Sequence, residues 1–249
     1  MKAAFSMWKN TRMIILVAVC AAIYGAALIA FKTAIPLIPG ITEVRVANIF
    51  PMVFGLLFGP AGAWGAAIGN LIGDIFGGTL GPGSIFGFIG NFLLGYLPYT
   101  MWTTLKPLAD GQRELAVANW RSWVLYIVIA LVSAAACGVI IAMGVAVLGL
   151  VPYPVLVSII AINDTVGGLI GGILLLAIYG VTKKQLGLVW WDVMEEADIG
   201  KPIAGVIGAW LVTAGALLGW ILGGYLLTGQ ALTLGVIFAI VIIIGSILL

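Results

Sequence analysis

Apolar residues run in long blocks, broken by short clusters of charge, glycine and proline. The blocks predict helices over 13–31, 47–58, 61–77, 85–105, 122–149, 155–180, 202–226 and 231–249. Most approach the roughly 20 residues a helix needs to cross a hydrocarbon core. The second and third are short and meet at Phe58-Gly59-Pro60. Glycine permits a tight turn there and proline lacks an N–H, so this pair is expected to be tilted or only partly spanning. The interval from 181 to 201 holds Asp192, Glu195, Glu196 and Asp198 and reads as a linker. After it, Gly215, Gly219 and Gly223 fall four apart in a nearly uncharged helical pair. The expected fold is an all-α polytopic membrane bundle: a six-helix core over 1–184, a cytoplasmic linker over 185–201 and a C-terminal transmembrane hairpin over 202–249.

Composition sharpens the solvent. Hydrophobic residues make up 63% of the 249 and charged ones 8%, with a mean hydropathy of +1.24, so the lipid bilayer is the expected surrounding. Met13–Phe31 is as long as a full span and is read as the first helix rather than a cleaved signal. With the N-terminus inside, the inner segments hold Lys2, Lys9, Arg12, Lys106, Arg113, Arg121, Lys183, Lys184 and Lys201, and the outer ones only Lys32 and Arg45. That asymmetry places both termini in the cytoplasm of a plasma membrane protein. A net charge of +2 without a basic stripe argues against a nucleic-acid partner. The chain has no histidine, and Cys20 and Cys137 stand alone in apolar runs, which argues against a metal site, a disulfide, a Cys-His or Ser-His-Asp catalytic set and any cofactor. Without a GxxxxGK[ST] loop, the chain is not expected to hydrolyse ATP, and no enzyme activity is expected.

The informative residues are the polar ones whose placement in lipid costs free energy. Asp164, next to Asn163, is about ten residues into the sixth helix, roughly 15 Å deep at 1.5 Å per residue. A carboxylate at that depth costs at least about 2.5–3.5 kcal/mol unless it faces a cavity or a partner. Asn70 and Asp74 share a face of the third helix, Asn91 is two turns into the fourth, and Glu43, Arg45 and Asn48 lie at the start of the second. All fall on the outer half, which predicts a solute pocket open to the exterior. Arg45 suits a carboxylate or phosphate, and Asn163 with Asp164 suits an amine, amide or heterocycle. The plainer reading is that these groups only bond helices together. Asp74 and Asp164 form a formal acid pair, expected several turns apart in depth. Two small-residue stripes stand out as well. Ala18, Ala22, Ala26 and Ala30 mark either a docking face or internal packing, whereas Gly65, Gly69, Gly73 and Gly77 are read as internal packing.

Glu43-Val-Arg-Val-Ala-Asn-Ile-Phe-Pro51, followed by LLFGPAGAWGAAIGNLIGD from Leu56 to Asp74, resembles the substrate-binding S components of energy-coupling factor (ECF) transporters. The likeness continues through Gly83-Ser-Ile-Phe-Gly-Phe-Ile-Gly-Asn91 and covers roughly 10 to 184. It implies a subunit that captures a vitamin or related micronutrient from outside and passes it inward with a transmembrane coupling protein and two ATPases. By the same resemblance, Glu43, Arg45, Asn91, Asn163 and Asp164 fall in the ligand region, and Ala18, Ala22 and Ala26 form the face that meets the coupling protein. The hairpin after about 200 departs from the six-helix pattern. Two other readings remain open at this point: a stand-alone carrier exchanging a proton at Asp164, and a membrane scaffold whose polar groups are structural.

Overall fold

A computed structural model describes residues 1–31, 36–38, 42–43, 45–115 and 119–249. Eight helices of ten residues or more are present among these: α1 Thr11–Phe31, α2 Ile49–Phe58, α3 Pro60–Phe76, α4 Gly83–Thr104, α5 Trp120–Val147, α6 Tyr153–Gly180, α7 Gly205–Ile221 and α8 Ala231–Leu248. Two short strands, Pro36–Ile38 and Thr42–Glu43, pair antiparallel ahead of α2. Five helical segments are long and apolar enough to cross a membrane: Thr11–Phe31, Trp120–Val147, Tyr153–Val193, Gly205–Leu226 and Thr228–Leu248. The protein is thus an all-α polytopic membrane bundle. α4 is 22 residues long, yet its glycines, Asn91 and threonines lower its hydropathy. It offsets this by lying between α3 and α5 with most of its length buried.

At 10 residues, α2 extends about 15 Å, half of a hydrocarbon core. It ends at Gly59, whose φ of +52° only glycine adopts without strain, and α3 starts at once on Pro60. The packing of α2 on α4 depends on a second glycine. A Cβ on Gly55 would lie 2.1 Å from the carbonyl oxygen of Gly95, so α2 and α4 touch backbone to backbone. α3 presents Gly65, Gly69 and Gly73 to Cys20, Tyr24 and Leu28 of α1, the packing role read for them, whereas Gly77, the fourth of the stripe, lies past the end of the helix and is exposed.

Ala18, Ala22 and Ala26 lie on the other side of α1 and are exposed among the described residues. The hairpin α7–α8 leans on α5. Tyr153 donates its hydroxyl to the Gly219 carbonyl at 3.0 Å, and Tyr96 donates to the Ser246 carbonyl at 3.1 Å. The polar interval before the hairpin is more closely held than its acids suggest. Val189, Trp190, Met194 and Ile199 are apolar residues set among those acids, and all four are buried. Around them Lys2, Ser6 and Asn10 donate side-chain hydrogen bonds to the carbonyls of Ala197, Asp198 and Val193.

Candidate functional site

At the end of the bundle formed by the α3–α4 and α5–α6 connections there is a cavity of about 150 Å³. Its polar wall is Arg45, Asn70, Asp74, Asn163 and Asp164; its apolar wall includes Ile141, Val145, Leu156 and Ile160. The helical period explains the grouping. Leu156, Ile160, Asn163 and Asp164 recur on one stripe of α6, as Ile141 and Val145 do on α5. Gly87 of α4 leaves the room. A Cβ there would stand 2.9 Å from Asn70 Nδ2, so any side chain would push into the polar wall.

The polar groups hold one another in place. Arg45 donates from Nη1 to Asn70 Oδ1 at 3.1 Å and from its backbone N–H to Asn163 Oδ1 at 3.2 Å. Asn70 Nδ2 donates to Asp74 Oδ2 at 3.3 Å, and Thr79 Oγ1 donates to Asp74 Oδ1 at 3.2 Å. Asp164 is 4% exposed. Its Oδ1 accepts from Asn48 Nδ2, the Cys137 thiol is a further hydrogen-bond partner, and Arg45 is the cation whose field reaches it. One guanidinium and two carboxyl groups therefore share a small chamber with amides that donate and accept. Such a wall can both donate and accept hydrogen bonds and carries charge of both signs.

Arg45, Asn70, Asp74, Asn163 and Asp164 are thus brought together. Asn48 and Asn91 are not on the wall but buried behind it, at 2% and 1% exposure. Glu43 falls in the second strand, and its side chain lies outside the described residues, as does Lys32. Ala18, Ala22 and Ala26 do not line the cavity and are exposed on the outward face of α1. Asp74 and Asp164, expected at different depths, line the same chamber, because Gly87 lets the end of α3 close onto α4. Nothing in the sequence pattern signalled Cys137 or Tyr24, whose hydroxyl lies 2.8 Å from each of two amide oxygens behind the wall. Both types are ordinary residents of apolar helices. Thr79 and Ser84, also on the cavity, flank the Gly-Pro turn between α3 and α4.

The QueT transporter family model matches residues 14–180, from the first turn of α1 to the last residue of α6. The chain belongs to the QueT transporter family. QueT transporters are ECF S components, the membrane subunits that bind substrate and work with a coupling protein and ATPases. The matched stretch contains every residue of the cavity's polar wall and leaves α7 and α8 outside it. No curated protein and no solved structure matches the chain.

Proposed function

We propose that this QueT-family subunit captures a queuosine precursor, a planar guanine-like base, in the chamber under Arg45, and that the transporter module delivers it inward. The observation that carries the reading is Asp164. A carboxyl group buried between Asn48 and Cys137 still opens on a cavity, where it meets the N–H edge of a base while Asn163, Asn70 and Arg45 serve its acceptors. A volume of about 150 Å³ is also ring-sized, comparable with engineered cavities that take up benzene. In this reading the cavity faces the exterior of the plasma membrane and both termini lie in the cytoplasm, an orientation that the basic residues of the intervening segments support. The subunit has no energy source of its own, so transport depends on a coupling protein and two ATPases. Ala18, Ala22 and Ala26 support such a partner: small exposed side chains at four-residue spacing let a second helix approach closely. The six-helix core over 1–184 carries the capture function, and the hairpin over 202–249 extends it on the α5 side.

Reconstitution tests the division of labour. Uptake of the precursor base is expected only when the coupling protein, both ATPases and ATP are present. Uptake by the purified chain alone under a proton gradient would instead make it a secondary carrier. A chain that neither binds nor transports the base would be left as a scaffold.

A further inference from the structure

Tyr24 stands between two surfaces that the functional reading uses separately. Its side chain is fully buried on α1, while Ala22 and Ala26, two positions to either side, are exposed on the opposite face. Its hydroxyl lies 2.8 Å from Asn48 Oδ1 and 2.8 Å from Asn91 Oδ1, and a phenol has one hydrogen to give. Asn91 is fixed in orientation, because its Nδ2 donates to the Gly87 carbonyl at 2.9 Å and its oxygen must then face Tyr24. Asn48 is held instead by side chains on both sides, Asp164 at its Nδ2 and Tyr24 at its Oδ1. Its amide keeps the same shape when turned over, so it fits in two discrete ways.

In the first, Asn48 Nδ2 donates to Asp164 and its oxygen faces Tyr24. This suits an ionised carboxylate but leaves the hydroxyl two acceptors for one hydrogen. In the second, Asn48 donates to Tyr24, Tyr24 donates to Asn91, and every contact is satisfied. Asp164 must then supply the hydrogen to the Asn48 oxygen, and that proton exchanges with water in the open cavity. The groups that face Asp164 are Arg45, Cys137 and Asn48, with Asp74 across the chamber, and a ligand N–H joins them on the acceptor side. A bound donor therefore favours the first arrangement and an empty site leaves the second accessible. Two sites biasing one bistable element is what coupling requires.

We propose that Asn48 and Tyr24 form a relay through which ligand occupancy at Asp164 sets how firmly α1 is held, so that docking at its alanine face depends on the ligand. This rests on the functional reading above. Tyr24 does not line the cavity, so its role is one of transmission rather than binding.

The test uses the full chain in lipid nanodiscs, with immobilised coupling protein and ATPases, and a queuosine-precursor base as probe. Capture of the wild type is expected to change at least about fivefold between no base and saturating base, the lower end of measured site-to-site couplings. Tyr24→Phe keeps the ring and its packing. It is expected to bind the base within about threefold of wild type, under 1 kcal/mol, while its capture changes less than about twofold with base. Asn91→Leu, which removes the fixed acceptor, is expected to blunt the ligand dependence in the same direction. Ligand dependence in Tyr24→Phe equal to that of wild type would overturn the relay. So would a loss of base affinity beyond about tenfold in that variant, which would place Tyr24 in the binding site itself. A wild-type chain that binds no precursor base sinks the substrate reading and the relay with it, whereas binding without any effect of Tyr24→Phe on capture sinks the relay alone.

Discussion

Asp164 combines three properties that rarely meet in one side chain of a membrane helix: it is buried, it is hydrogen-bonded from two neighbouring elements, and it opens on a cavity. Asp164→Asn preserves shape but replaces an acceptor-only oxygen with a donor. It is expected to weaken base binding more than about tenfold, or 1.4 kcal/mol, while the ligand-free chain melts within a few degrees of wild type. Isothermal titration on the detergent-solubilised variant checks this, and an unchanged affinity would remove Asp164 from the site. The same property made Asp164, Asn163, Asn70 and Asp74 legible from the sequence, since polar groups in apolar helices are expensive and their presence asks for a reason, while Arg45 stood out as a cation in an outer segment. Tyr24 and Cys137 were not legible, because a tyrosine or cysteine in an apolar run carries no such penalty and their importance lies only in what they touch.

Between helices, contact distances set what each face tolerates. Gly55→Ala is expected to destabilise the chain by about 1–3 kcal/mol or more, because the new methyl meets the Gly95 carbonyl rather than a side chain able to turn aside. A thermal melt of that variant in detergent, read against wild type, checks it. The outward face of α1 gives the opposite expectation. Ala22→Trp falls at an exposed position and is expected to leave base affinity unchanged while abolishing co-purification with the coupling protein. Recovery of an intact complex would move the docking face elsewhere. The short α2–α3 pair was visible in the sequence from Gly59-Pro60, as was the inward glycine stripe of α3. Which way the alanine stripe of α1 points was not, since small-residue spacing is the same for inward and outward packing.

Over the whole molecule, chain-distant segments meet at the end opposite the cavity. Arg113 donates to Glu196 at 2.6 and 2.7 Å, and Glu114 accepts from Lys183 and, at 2.7 Å, from Tyr179. These contacts tie the α4–α5 connection to the end of α6 and to the interval before the hairpin. The Lys183 ammonium, with the Tyr179 hydroxyl, holds the Glu114 carboxyl below the usual carboxylate range. A depressed folded value means stability that is present above the unfolded value and lost as pH falls through the folded one. Because Glu114 is largely exposed, solvent screening keeps the contribution under about 1 kcal/mol. Glu114→Gln should therefore show a slightly smaller drop in melting temperature than wild type between pH 6 and pH 3, a range that brackets the ordinary carboxylate value near 4.3. The ordering of this end was hidden in sequence, where four acids concealed the apolar residues between them.

The functional proposal rests on one chamber, built by polar groups from separate helices, binding a guanine-like base. The most direct test is the melting temperature of the purified full chain titrated with a queuosine-precursor base, run in parallel on Asp164→Asn. A binder gains stability with ligand concentration, by roughly 2.7 kcal/mol at 100 times Kd. The wild type is expected to rise accordingly, and the variant to need more than about tenfold more base for the same shift. A wild-type curve that stays flat up to millimolar base, or identical curves for the two chains, would contradict the account.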